Sequence, residues 1–214
     1  MSQLTQSKSR WFAIASLVFS SWGLAGCTAA TDELERDSAS EDVEDTSQAL
    51  DIAGVTFQTV QGGRYLGAQN NGGSTVNATA TVAQGWEKFT LDDINGGSLV
   101  SGDQVFVRAG NGQYFQAVNG GGSSLNAASN NRLGWETFRI VKESGSGTIA
   151  NGDVVGLQTV TTGNWVSAQN GGGGAVFAYG GALGSWERLR IGGLSTCNQN
   201  PGTGFGAIWS RAQF

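Results

Sequence analysis

One heptapeptide motif occurs three times in this chain: GWEKFTL at 85–91, GWETFRI at 134–140 and SWERLRI at 185–191. Its tryptophans, Trp86, Trp135 and Trp186, are 49 and then 51 residues apart, and an aromatic residue precedes each by 21 positions (Tyr65, Tyr114, Trp165). Between these anchors the register continues through Ala68, Ala117 and Ala168, then Asn70, Asn119 and Asn170. Val76, Leu125 and Val176 follow, with Ala78, Ala127 and Ala178 two places later. A period of about fifty residues held at this many points means one supersecondary unit used three times, its apolar face buried by its neighbours.

Each unit reads as four short strands, which in the first unit are 55–60, 65–69, 75–79 and 87–92. Apolar and polar residues alternate in Phe89-Thr90-Leu91 and in Phe138-Arg139-Ile140, the period of a strand buried on one face. Six Asn-Gly steps lie between such runs, at 71–72, 95–96, 111–112, 119–120, 151–152 and 170–171. Asn-Gly favours the type I′ hairpin turn, which needs positive φ at both central residues. No helical apolar period appears after the first 27 residues. Twelve antiparallel strands in three units are too few for a propeller, which closes with about four to eight blades. A barrel closed by one unit per third leaves no open edge. The expected fold is therefore all-β: a β-trefoil of three four-strand repeats with pseudo-threefold symmetry.

The repeats begin late. Lys8 and Arg10 precede an uncharged apolar stretch, Trp11 to Leu24. As a helix this is roughly 21 Å long, short for a ~30 Å hydrocarbon core and suited to a cleaved export signal. It ends in Leu24-Ala25-Gly26-Cys27, which resembles a bacterial lipobox, with Cys27 as the acylated mature N-terminus. The alternative is an ordinary signal cut nearby, with Cys27 discarded. Residues 28–51 carry nine acids against one base and no aromatic residue, the composition of a disordered, self-repelling tether. The expected organisation is a signal at 1–26, a tether at 27–51, the trefoil at 52–192 and a tail at 193–214. An exported lipoprotein, at the outer membrane or cell surface, is the expected location.

The whole chain's net charge of −5 belongs to the tether, because residues 52–214 hold eight acids and nine scattered bases. Nucleic acid is therefore not an expected partner. The chain contains no histidine, which removes imidazole-based triads and His-ligated zinc, and its two cysteines cannot form a four-thiolate cluster. No cofactor, metal or catalytic residue is expected, and the chain reads as a non-enzyme.

Tyr-Leu-x-Ala at 65–68, a Gly-rich turn, a Val-x-Ala strand at 76–78 and Trp-Glu-x-Phe at 86–89 resemble the fascin-like β-trefoils. The resemblance covers about residues 54–191. It departs in the third unit, where Trp165 replaces Tyr and Leu189 replaces Phe. The Gln-x-Trp motif of ricin-type trefoils is absent. The resemblance implies the trefoil fold; fascin itself bundles actin, which is not expected of one exported trefoil.

Trp86, Trp135, Trp186, Phe89, Phe138 and Leu189 repeat with the symmetry and are expected in the core. Glu87, Glu136 and Glu187 repeat too, and read as structural carboxylates rather than a catalytic pair. Residues that break the symmetry or carry amides are the candidate ligand contacts: Trp165, Gln169, Asn170 and Tyr179 in the third unit, with Gln69, Asn70 and Asn119 elsewhere. Uncharged amides beside an exposed ring suit sugar hydroxyls and CH faces. The leading expectation is an envelope-anchored carbohydrate-binding module; the alternative is a protein-binding or structural envelope component.

Overall fold

A computed structural model describes residues 50–195. The expected signal, Cys27, most of the acidic stretch, Cys197 and the rest of the tail lie outside the described residues. The strands are β1 (Leu50–Thr59), β2 (Tyr65–Ala68), β3 (Val76–Ala80), β4 (Phe89–Asp93), β5 (Gln104–Arg108), β6 (Tyr114–Ala117), β7 (Leu125–Ser129), β8 (Phe138–Lys142), β9 (Val154–Thr159), β10 (Trp165–Ala168), β11 (Val176–Gly180) and β12 (Leu189–Gly192). Strand β1 starts two residues before the expected domain boundary. Leu50 and Asp51 pair with Asp93 and Asp92, and Asp51 bonds Arg108 at 2.8 Å, so sheet pairing orders residues that composition groups with the tether.

Six strands close a ring by antiparallel pairing. Strand β1 pairs with β4, β4 with β5, β5 with β8, β8 with β9, β9 with β12, and β12 with β1 again. The other six form three hairpins, β2–β3, β6–β7 and β10–β11. The hairpins lock to one another in a cycle. The Gly73 N–H donates to Ala127 O, the Gly122 N–H to Ala178 O and the Gly173 N–H to Ala78 O, each returned by the alanine's own N–H to the next residue of the turn. That cycle requires a small residue at the centre of each hairpin, and it accounts for the repeated alanines. Phe57, Phe89, Phe115, Phe138 and Leu189 fill the interior with Val and Leu from all three units, so the expected burial of Phe89, Phe138 and Leu189 holds.

Of the six Asn-Gly steps, three have positive φ at both residues, 71–72, 119–120 and 170–171, and in the first unit Asn70 before the step is left-handed as well. At 95–96, 111–112 and 151–152 only the glycine is left-handed. Asn70, Asn119 and Asn170 have φ of 59°, 60° and 57°. They turn the hairpin tip onto the next unit's first turn, where the Gly62 N–H meets Gly171 O and the Asn111 N–H meets Asn71 O.

The unit junctions are not equivalent in charge. Lys142 and Asp153 form an ion pair at 2.8 Å. Burial raises the Asp153 carboxyl, but Lys142 and the Ala150 N–H outweigh it and hold it below its usual range. At the corresponding junction Asp93 stands in the place of Lys142, facing Asp103. Asp93 is fully buried; its Oδ1 accepts the Asn95 N–H at 3.0 Å, and its Oδ2 has no hydrogen-bond partner. Burial, and then the charge of Asp103, push its carboxyl up to about 6.

The beginning of the expected tail is also part of the domain. Leu194 is buried, its N–H donating to Asn151 Oδ1 and its carbonyl accepting from Asn151 Nδ2.

Candidate functional site

The repeated Trp-Glu pair sits at a tight turn before β4, β8 and β12. Of the two side chains, the glutamate turns inward. Glu87, Glu136 and Glu187 are buried, and each accepts the N–H of the residue three before it: Gln84 (2.9 Å), Leu133 (3.0 Å) and Gly184 (3.0 Å). The tryptophan carbonyl is tied down as well, accepting the N–H of Ala68, Ala117 or Ala168. With the glutamate beneath and the backbone pinned, the ring has only the outside left.

Trp86, Trp135 and Trp186 are accordingly 45%, 43% and 36% exposed. This corrects the expectation that they are core. Threefold repetition marks a position that each unit needs, and here that need is met by the glutamate and the backbone rather than by the ring.

Open clefts flank two of these rings. One of about 510 Å³ runs beside Trp86, between Val82 and Gln84. The other, about 470 Å³, lies between Trp135, Leu133 and Asn131 of the second unit and Thr161 of the third. Thr161 Oγ1 donates to Gly134 O at 2.9 Å, closing the junction, and Trp135 Nε1 lies 3.1 Å from where a Cβ on Gly120 would stand. Glycine at 120 is required twice over, by that approach and by a φ of +76°. Each cleft offers an aromatic face, a large exposed aliphatic residue and uncharged hydrogen-bonding groups, while its one carboxylate is buried and bonded.

The symmetry-breaking residues of the third unit are not brought together. Trp165 pairs with Gly180 at one end of the β10–β11 hairpin and Ala168 with Val176 at the other. Three residues of strand, about 10 Å, thus separate Trp165 from Gln169 and Asn170 at the tip. The Trp165 ring is half-buried; a Cβ on Gly156 would come within 2.7 Å of it, so it packs against the sheet. Tyr179 is 43% exposed on the bulge between Ala178 and Gly180, and its ring neighbour is Phe177 at 5.0 Å. Gln69, Asn70 and Asn119 lie at the hairpin tips of the other units, Asn70 and Asn119 exposed and Gln69 half-buried, and neither cleft includes them. Among the described residues no group of three or more acidic, Cys or His side chains is placed to hold a metal ion, and no helix is long and apolar enough to cross a membrane.

No protein-family model matches the sequence, and no curated protein matches it. Solved structures do. ThreeFoil, a designed threefold-symmetric protein, aligns over 64% of this chain and 96% of its own at 17% identity, with a TM-score of 0.52. The fold is a β-trefoil. An SDF2-like protein from Arabidopsis thaliana aligns over 66% of this chain and 94% of its own (12% identity, TM-score 0.52). A Caenorhabditis elegans protein of unknown function aligns over 71% and 99% (11% identity, TM-score 0.51). At these identities the likeness concerns the trefoil alone, and ligand chemistry has to come from this chain's own clefts.

Val82, Gln84, Asn131, Leu133 and Thr161 are not marked by the repeat or by the strand alternation. The first four face outward because the buried carboxylate accepts an N–H three residues back, and Thr161 joins them only through the fold.

Proposed function

We propose that this chain is a non-catalytic carbohydrate-binding trefoil, related to the fascin-like trefoils its repeat resembles and held on the bacterial envelope through Cys27. The observation that carries the reading is the pair of clefts at Trp86 and Trp135. Each presents a ring about half exposed, with amide, hydroxyl and backbone groups around it and no unpaired charge. A sugar ring has an apolar CH face to lay on an indole and equatorial hydroxyls for neutral donors and acceptors. With no histidine in the chain and each Trp-linked glutamate bonded to backbone, the clefts lack the activated nucleophile or acid–base pair that turnover would need.

A glycan array probed with the purified protein tests this, followed by titration of tryptophan fluorescence. The expected result is binding of uncharged glycans that is lost when Trp86 and Trp135 are both changed to Ala, with the fold retained. No binding to any glycan at millimolar concentration refutes it. Val82 and Leu133, 62% and 66% exposed beside the rings, favour a second reading, contact with an envelope protein. That reading expects a blank array and capture of a protein partner that depends on the same two tryptophans.

A further inference from the structure

The three Trp turns share a backbone but are not braced alike. In the second unit Glu136 Oε1 accepts both Gln116 Nε2 (2.7 Å) and Ser129 Oγ (2.9 Å), and Ser129 Oγ also accepts the Asn131 N–H (3.1 Å). Next to Asn131, Arg132 donates through Nε to Tyr114 Oη at 2.7 Å and pairs with buried Asp92 at 2.6 Å. Its guanidinium lies over the Tyr114 and Phe106 rings, 5.0 and 5.5 Å from their centroids. Thr137 Oγ1 donates to Leu133 O at 2.8 Å and closes the turn.

The other units do not make these contacts. At the places of Gln116, Ser129 and Arg132 the first unit has Gly67, Ala80 and Ala83, and the third has Ser167, Gly180 and Leu183. In the first unit a side chain at 67 would run into Glu87. The segment from Asn131 to Trp135 is therefore ordered before any ligand arrives, and pre-organisation lowers the entropic cost of binding.

The braced cleft also has a chemistry of its own. Leu133 and Trp135 form an apolar corner. The same cleft is lined by the Thr161 hydroxyl, whose proton is committed to Gly134 O between those two residues so that the oxygen accepts, and by the Asn131 amide. Glu136 already holds three donors and repels no neutral ligand. A methyl group for the corner, an N–H for the hydroxyl oxygen and a carbonyl for an amide donor together make an acetamido group.

We infer that the Trp135 cleft is the primary site of the domain and selects sugars bearing an acetamido group, with Arg132 as the positioning residue for its wall. This rests on the carbohydrate-binding reading above.

The test is calorimetric titration of the purified protein with three probes: the N-acetylglucosamine trimer, the glucosamine trimer and cellotriose. The acetylated trimer should bind about tenfold or more tighter than either of the others, the scale of one well-placed apolar group with its polar partners. Trp135→Ala should abolish that tight binding, whereas Trp86→Ala and Trp186→Ala leave it intact. Leu133→Ala should reduce the preference for the acetylated trimer over cellotriose to below about threefold while cellotriose still binds. Arg132→Ala should weaken the acetylated trimer several-fold while the affinity for cellotriose is unchanged, and Arg132→Lys should restore part of the loss. A merely structural role for Arg132 would lower both affinities together. If cellotriose binds as tightly as the acetylated trimer, or the preference survives Trp135→Ala, the inference is overturned and the carbohydrate reading stands. If nothing binds, both fail.

Discussion

Changing Asp93 to Asn should make the domain more stable at neutral pH and flatten its pH dependence. Asp93 occupies the place that Lys142 holds at the next junction, so a carboxylate faces Asp103 where an ammonium faces Asp153. Unfolded, the group titrates near 3.8; folded, at about 6. A folded-state pKa above the unfolded one means that the native state holds the proton more tightly. The stability it contributes is complete below about pH 3.8 and is lost as pH rises through about 6. A shift of roughly two units corresponds to about 3 kcal/mol between those limits. Asn removes the charge, keeps an oxygen for the Asn95 N–H and turns an amide N–H₂ toward Asp103. A gain of about 1–3 kcal/mol at pH 7.5 is expected, seen as roughly 3 °C in Tm per kcal/mol for a domain of this size. Urea melts of both proteins between about pH 5 and pH 8 check it. Asp92 is also raised, by burial against the pull of Arg108 and Arg132, and Asp153 is lowered; neither changes between the two proteins, so their difference isolates Asp93. Refutation would be a variant no more stable than the parent at pH 7.5, or a difference that does not shrink as pH falls.

Trp135→Ala should cost less than about 1.5 kcal/mol because its ring is already half in water, whereas Phe138→Ala, three residues on and fully buried, should cost about 3–5 kcal/mol; paired urea melts compare them. Gly120→Ala should destabilise by about 1–2 kcal/mol from its left-handed φ alone, with crowding by Thr161 and Trp135 adding to that; thermal melts of the variant read the sum. Cys27→Ser should move the protein from the detergent phase to the aqueous phase on partitioning, because the proposed attachment is a diacyl group on the Cys27 thiol, which holds a chain on a membrane stably.

The residues that break the apparent threefold symmetry have two different fates. Trp165 and Tyr179 look like additions for a ligand, yet one packs on Gly156 and the other sits on a bulge beside Phe177, both a hairpin's length from Gln169 and Asn170. The asymmetry that shapes a cleft lies in quieter places. Gly67, Gln116 and Ser167 are one position in three units, and only the amide reaches its glutamate.

What the sequence determined by itself is the architecture. A fifty-residue period fixes three units, period-2 alternation fixes strands, and the need to leave no open edge turns three four-strand units into a closed, capped barrel. Phe89, Phe138 and Leu189 could be assigned to the core from the strand alternation around them. The direction of the tryptophans could not, because a turn residue faces in or out according to what its neighbour bonds. Here the glutamate's backbone acceptor role, visible only once the turn is folded, sends the indole outward. The clefts are likewise tertiary. Thr161 reaches Gly134 across 27 residues and a unit boundary, and no local pattern encodes that meeting. Asp93 shows the same division: its identity is written in the chain, but its pKa of about 6 exists only because barrel closure strips its water away and sets Asp103 nearby.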